Sequence, residues 1–145
     1  MKALVVGGDS VLGSGLAARL PQEGWEVLAT SRRPQSKDNG RLHLDLLEDP
    51  SRWPIPKGLH AAFICAAMTS MAACEQYPET ARRINVLHTG LLIERLHEAG
   101  CFVVFPSSNA VFSGDEPHVR ADEPKTPSTI YGHHKAEIED LVLDL

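Results

Sequence analysis

Short apolar runs alternate with amphipathic stretches along this chain. Residues 3–6, Ala-Leu-Val-Val leading into Gly7, are apolar without interruption, the pattern of a strand buried on both faces. Residues 11–20 read as a helix, with Gly24 as its stop signal, and residues 25–30 as a second strand. Residues 41–45 alternate apolar with polar, which predicts a third strand. Residues 60–65 and 101–105 predict a fourth and a fifth. Pro78 suits the first turn of a long helix reaching to about Gly100. Ile84, Leu87, Leu91 and Leu92 form its apolar stripe, and Arg82, Arg83, Glu94, Arg95 and Glu98 its wet side. A last helix runs from near Ser128 to Leu145, with Ile138, Leu141, Val142 and Leu145 at i, i+3, i+4, i+7 spacing. Proline and glycine make loops of residues 32–40 and 113–127 and allow at most a short helical turn in residues 49–58.

Strands that alternate with helices imply right-handed βαβ units and a parallel sheet. The expected fold class is α/β, a Rossmann-type doubly wound sheet of five strands in the order 3-2-1-4-5. Ligands of such sheets sit beyond the carboxyl ends of the strands. Gly7, Ser31, Asp45, Ala66 and Ser107 all fall there, so the candidate chemistry converges on one edge.

Composition narrows the picture. At 145 residues the chain is one domain by length, with 43% hydrophobic and 23% charged residues, ordinary for a soluble globular protein. A net charge of −5 argues against nucleic-acid binding driven by bulk electrostatics. Cys65, Cys74 and Cys101 form no CxxC pair, which fits a reducing cytoplasm. No run is long enough for a signal-peptide core or a membrane span. The histidines, His133 and His134 among them, read as surface or capping residues, and no metal is expected. Cys65 reads as a small apolar residue, Trp25 and Trp53 as packing residues, and Glu137, Glu139, Asp140 and Asp144 as a solvated helix face.

Gly7-Gly-Asp-Ser10-Val-Leu-Gly13 joins the first strand to the first helix. Small residues let the backbone approach a pyrophosphate, and the helix N-terminus offers N–H groups and a positive dipole end. The spacing is G-x-x-S-x-x-G; no lysine follows it, which disfavours a triphosphatase. NAD binders place an acid at the end of the second strand, where this chain has Thr30-Ser31-Arg32-Arg33. Guanidinium forks suit a 2′-phosphate, so NADP is favoured over NAD, unless the two arginines are only a solvated loop. Asp45 and Leu46 either contact an adenine, or Asp45 is a helix or turn cap.

Tyr131 and Lys135 are four apart on one helix face. A hydroxyl from a strand end, Ser108, can complete a proton-transfer site with them. With these residues the chain resembles the extended short-chain dehydrogenase/reductases, more narrowly the dTDP-4-dehydrorhamnose reductase group. The matching pieces occur in order: the glycine turn, Leu44-Asp45-Leu46, Cys65-Ala66-Ala67-Met68-Thr69, residues 75–78, Ile84-Asn85-Val86, Ser107-Ser108-Asn-Ala-Val-Phe112 and Tyr131-Gly-His-His-Lys135. The resemblance covers the whole chain. It implies that the backbone at Ser10, Val11 and Leu12 holds cofactor phosphates and that Asp45 and Leu46 flank the adenine. Ala66, Ala67 and Met68 would line the path to the nicotinamide, and Asn85 would support the active site or its water. Ser108 stands where the family has its Ser or Thr.

The implied reaction is an NADPH-dependent reduction of a keto group on a nucleotide-linked sugar. Tyr131 acts as general acid, Lys135 lowers its pKa and bonds the nicotinamide ribose, and Ser108 orients the carbonyl. The same family includes epimerases and dehydratases. The sequence also resembles the non-catalytic β subunit of methionine adenosyltransferase. Ser10 departs from the family's middle glycine; its hydroxyl is suited to bonding a phosphate. The family's chain is about twice as long, so the expectation is one NAD(P)-binding domain over residues 1–145, truncated after the tyrosine–lysine helix, with the substrate half absent. The fifth strand would then be a sheet edge, an association hazard that a second copy or another partner covers.

Overall fold

The computed structural model describes residues 1–34 and 40–145. Strands β1 (Lys2–Val6), β2 (Glu26–Ser31), β3 (Leu42–His43), β4 (Ala61–Ile64) and β5 (Phe102–Val104) form one sheet. Their order is β3-β2-β1-β4-β5, and every neighbouring pair is parallel, as the alternating pattern predicts. Lys2 pairs with Glu26 and Ala3 with Ala61, so β1 is the central strand. The order reverses between β1 and β4, which puts a crevice at their C-terminal ends.

Helices α1 (Val11–Arg19), α2 (Met71–Gln76), α3 (Pro78–Arg82), α4 (Thr89–Glu98) and α5 (Ile130–Leu143) pack around the sheet. The core joins Leu4 and Val6 of β1, Ala62 and Ile64 of β4, Leu92, Ile93 and Leu96 of α4, and Ile138 of α5. Trp53 packs against it and donates its indole N–H to the His43 carbonyl at 2.8 Å. A left-handed Gly24 stops the turn that follows α1. Among the described residues no helix is long and apolar enough to cross a membrane. β5 is an edge of the sheet, and Phe102 on it is 72% exposed.

Several elements differ from the sequence expectation. The long helix after Pro78 changes pitch: Arg83–His88 is a π-helical turn between α3 and α4. The Thr89 hydroxyl donates to the Ile84 carbonyl at 2.7 Å across it. One added residue per turn shifts the phase of the stripe. Asn85, Val86, Thr89 and Gly90 turn inward, while Leu87, expected in the stripe, is 55% exposed. Strand β3 keeps only two ladder residues; Leu44 N–H still donates to the Ser31 carbonyl at 3.0 Å, while the Leu44 and Leu46 side chains pack into the core. The α5 helix ends at Leu143, which leaves Leu145 exposed rather than in its stripe. The short α2, capped by Ser70, is too brief to show periodicity. Of the loop expected over 32–40, residues 35–39 lie outside the described residues.

Candidate active site

The glycine turn is fixed by contacts on two sides. Gly7 has φ +84°, and a Cβ there would lie 2.7 Å from the Ala66 nitrogen, so only glycine lets the turn lie on the segment after β4. Gly7 N–H donates to the Thr30 hydroxyl at 3.0 Å and Gly8 N–H to the Thr30 carbonyl at 2.9 Å. Ser10 caps α1, its Oγ accepting from Gly13 N–H at 3.0 Å. Its hydroxyl is thus a helix cap before it is anything for a phosphate. Buried Gly13 sits so close to the turn that a Cβ would be 2.3 Å from the Gly7 oxygen. Val11 and Leu12 form the open first turn, Val11 94% exposed, where helix amides have no partner within the helix.

A cleft of about 630 Å³ extends from this turn across the strand ends. Its walls are the turn, residues 31–33, residues 44–47 and residues 65–70. Arg32 and Arg33 are exposed on its rim. Asp45 caps a turn, its Oδ1 accepting from Leu47 N–H at 2.9 Å, and also lines the cleft. Leu46 belongs to the core and the cleft wall together. Asp9 was not singled out by sequence: its carboxylate is ion-paired with Arg41 and accepts from the Ser31 hydroxyl. An acid in a turn of small residues was the available signal.

The α5 helix presents Tyr131, His134, Lys135 and Ile138 on its buried face. Gly132 brings it against the turn that starts at Ser108; a Cβ there would be 2.1 Å from the Ala110 oxygen. Ser108 accepts from Ala110 N–H at 3.2 Å and caps that turn, Asn109–Val111. Ser108 and Tyr131 are thereby brought together, close enough for the serine hydroxyl to lower the phenol's pKa. Lys135 Nζ donates to the Pro106 carbonyl at 2.8 Å and sits 4.2 Å from the Phe105 ring centre.

Burial pushes the Tyr131 phenol above its ordinary value, the Cys74 thiol adds to this, and Ser108 opposes it. Burial likewise pushes the Lys135 ammonium down, with Cys65 and Glu139 opposing. The expected lowering of the tyrosine pKa by lysine is therefore not what the chain alone displays. Burial sets the direction, and the Lys135 ammonium, 5.9 Å from the Tyr131 ring centre, is committed to the Pro106 carbonyl.

Asn85, on the π turn, accepts from Met68 N–H at 2.7 Å and donates to the Met68 carbonyl at 2.9 Å. A second cavity, of about 10 Å³, is lined by Asn85, Thr89, Tyr131, His134 and Lys135. Ala66 and Ala67 line both this cavity and the cleft. The tyrosine–lysine pair and the glycine turn thus border two cavities that share Ala66 and Ala67.

Two expectations for α5 are corrected. His134 is not a surface residue: it is 6% exposed, facing inward one turn from Ile138, with no hydrogen-bond partner for Nδ1. Nor is the acidic face merely solvated. Glu137 makes a two-point ion pair with Arg82 of α3 at 2.8 and 2.9 Å, and Lys125 contacts Asp140 and Glu139. Glu75 of α2 accepts from Ile130 N–H at 3.0 Å and steadies the start of α5. These contacts set the height of Tyr131 over the strand ends.

The model of the RmlD substrate binding domain family matches residues 1–145. The chain is 29% identical to methionine adenosyltransferase 2 subunit beta of Xenopus tropicalis, over 98% of this chain and 42% of that protein. It is 30% identical to a dTDP-4-dehydrorhamnose reductase of Streptomyces griseus, over 98% of this chain and 45% of that protein. The solved structure of MoeE5 in complex with UDP-glucose and NAD superposes with a TM-score of 0.80 at 29% identity, covering 99% of this chain and 48% of that one. The chain therefore spans about half the length of the relatives it matches.

Proposed function

This chain belongs to the RmlD substrate binding domain family, and on that premise we propose that it binds a nicotinamide dinucleotide, NADP in preference to NAD, and reduces a keto group on a nucleotide-linked sugar. The observation that carries the reading is that Tyr131, with Ser108 beside it, and Lys135 line a cavity whose Ala66 and Ala67 walls also line the dinucleotide-sized cleft. The residues fit the cofactor. The first turn of α1 offers amides to a pyrophosphate, Arg32 and Arg33 stand at the rim for a 2′-phosphate, and Asp45 and Leu46 border the adenosine end. Ala66, Ala67 and Met68 line the way to Tyr131.

When bound, the reduced cofactor supplies the hydride. Tyr131, kept protonated by its burial, gives its proton to the carbonyl oxygen as that oxygen gains negative charge, and the substrate leaves as an alcohol. Ser108 O–H holds the same oxygen. Lys135, released from Pro106, steadies the phenolate that remains and holds ribose hydroxyls.

A second reading has a specific observation behind it, the likeness to methionine adenosyltransferase 2 subunit beta. In that reading the chain binds the dinucleotide and regulates a larger enzyme without turnover. An epimerase or dehydratase would use the same residues on another sugar nucleotide. Three free thiols support a reducing, cytoplasmic setting, and the exposed β5 edge is where a second copy or another partner would pair.

The test is NADPH oxidation by the purified chain with a panel of keto-sugar nucleotides. Tyr131→Phe is expected to lower turnover by about 10²–10⁴-fold while NADPH still binds. NADPH that binds without ever being consumed would sink the reductase reading and favour the regulatory one.

A further inference from the structure

We propose that Asp9, acting through Arg41, sets how strongly the cleft distinguishes a dinucleotide with a 2′-phosphate from one with a free 2′-hydroxyl. The inference rests on the dinucleotide reading above and deepens it.

Asp9 lies in the glycine turn and lines the cleft beside Ser31, Arg32 and Arg33. Both oxygens of its carboxylate are engaged, Oδ1 by the Arg41 guanidinium and Oδ2 by the Ser31 hydroxyl. The Ser31 Oγ also accepts from Arg33 N–H at 3.0 Å. Arg41 lies against the turn itself: a Cβ on Gly8 would be 3.1 Å from its Nη1. An acid, a hydroxyl and a guanidinium therefore form one bonded unit at the C-terminal end of β2, where a doubly wound sheet meets the adenosine ribose. The side chains of Asp9 and Arg41 are each 29% exposed, so the pair is partly desolvated yet open to a ligand in the cleft.

The chemistry separates the two cofactors. A free ribose hydroxyl can donate to the carboxylate and leave the ion pair intact. A 2′-phosphate brings only acceptors and more negative charge, so beside Asp9 it is repelled. Arg41 can serve the phosphate only by exchanging one anion for another. Asp9 thus competes for a cation that 2′-phosphate recognition needs, and it opposes Arg32 and Arg33 at the rim. No acid stands at the end of β2 itself; the fold delivers one from the neighbouring turn.

The experiment is titration of NADPH and NADH, by fluorescence or calorimetry, against the whole chain and its variants Asp9→Asn, Arg41→Gln and the pair combined. Asp9→Asn removes the charge and keeps an acceptor for Ser31. It is expected to raise the preference for NADPH over NADH by about tenfold or more, the scale of one charge-assisted hydrogen bond. Arg41→Gln is expected to weaken NADPH more than NADH. In the combined variant the gain from Asp9→Asn shrinks, because the cation it released is absent and only the direct repulsion has been removed. Asp9→Ser carries the same expectation should Asp9→Asn fail to fold. If both cofactors bind the wild type and Asp9→Asn leaves their ratio unchanged, the inference is overturned while the dinucleotide reading stands. A gain that persists undiminished without Arg41 also overturns it. Binding of neither cofactor by the wild type overturns the dinucleotide reading and this inference with it.

Discussion

The Asn85 carboxamide closes on both backbone groups of Met68, accepting from its N–H at 2.7 Å and donating to its carbonyl at 2.9 Å. Two strands bond each other in this way; here a side chain on a π turn does it for a segment that has left the sheet. The Met68 carbonyl also accepts from the Cys74 thiol at 3.3 Å, so α2 and the π turn hold the same peptide. Residues 65–70 are a wall of the cleft, and Asn85 is what fixes that wall.

Asn85→Ala should therefore act through Met68. The part-buried Met68 N–H loses its partner and the carbonyl keeps only the Cys74 thiol, at a cost of about 1–3 kcal/mol of stability. Urea unfolding would register that loss, and titration would show dinucleotide affinity falling with it. Unchanged affinity in a folded Asn85→Ala chain would mean that the wall holds its shape without this contact.

Gly132→Ala tests the approach of α5 to the Ser108 turn. The added Cβ would be 2.1 Å from the Ala110 oxygen, a backbone atom that cannot step aside. The helix or the turn has to move, at a cost on the order of 1–3 kcal/mol. Thermal unfolding should shift down, and any keto-sugar turnover should fall further than stability alone explains, because Tyr131 and Ser108 part.

His134 makes stability depend on pH. Burial first, then the nearby Arg82 charge, pushes its imidazole below the ordinary histidine value, with Glu137 opposing. Between that folded value and about 6.5 the unfolded chain binds the extra proton. Stability contributed by neutral His134 is thus present above about pH 6.5 and is lost as pH falls below it. Chemical denaturation at pH 7.5 and pH 5.5 should show a smaller drop for His134→Leu than for the wild type. Equal drops would mean the imidazole is hydrated in solution.

The Tyr131 phenol should ionise late. Its pKa is raised by burial and by the Cys74 thiol, against the pull of Ser108. A phenol holds its proton below its pKa, so the acid form extends past the ordinary value near 10. In an ultraviolet pH titration, the difference between the wild type and Tyr131→Phe should show no phenolate at pH 9. Phenolate at that pH in the free chain would mean that Lys135 already faces the ring.

Much of the sheet could be read from the chain because its information is local. Residues 3–6 are apolar throughout, and only a strand covered on both faces has a use for that. Gly7 and Gly13 flank a turn that any side chain would obstruct, and the structure finds both obstructions, at Ala66 and at Gly7 itself. Tyr131 and Lys135 share a face by helical spacing alone. The phase of the helix after Pro78 was not legible in this way. Residues 83–88 fit an ordinary α-helical stripe, and the π turn arises where Asn85 is drawn to Met68, a residue on another element. His134 likewise looks like its neighbour His133 in sequence, and only the packing of α5 on the π turn buries one and exposes the other.

By itself, then, the sequence determined the alternation of strands and helices that makes a parallel sheet, the glycine turn at the head of α1, and the residue types of a candidate proton-transfer site. These follow from backbone sterics and from periodicities of two and 3.6, which act over a few neighbours. The tertiary structure alone decided which groups meet. It sends Lys135 to the Pro106 carbonyl, raises the Tyr131 phenol by burying it, and ties Asp9 to an arginine 32 residues away. Charge, burial and hydrogen bonding depend on distance in space, and only the closed fold sets those distances.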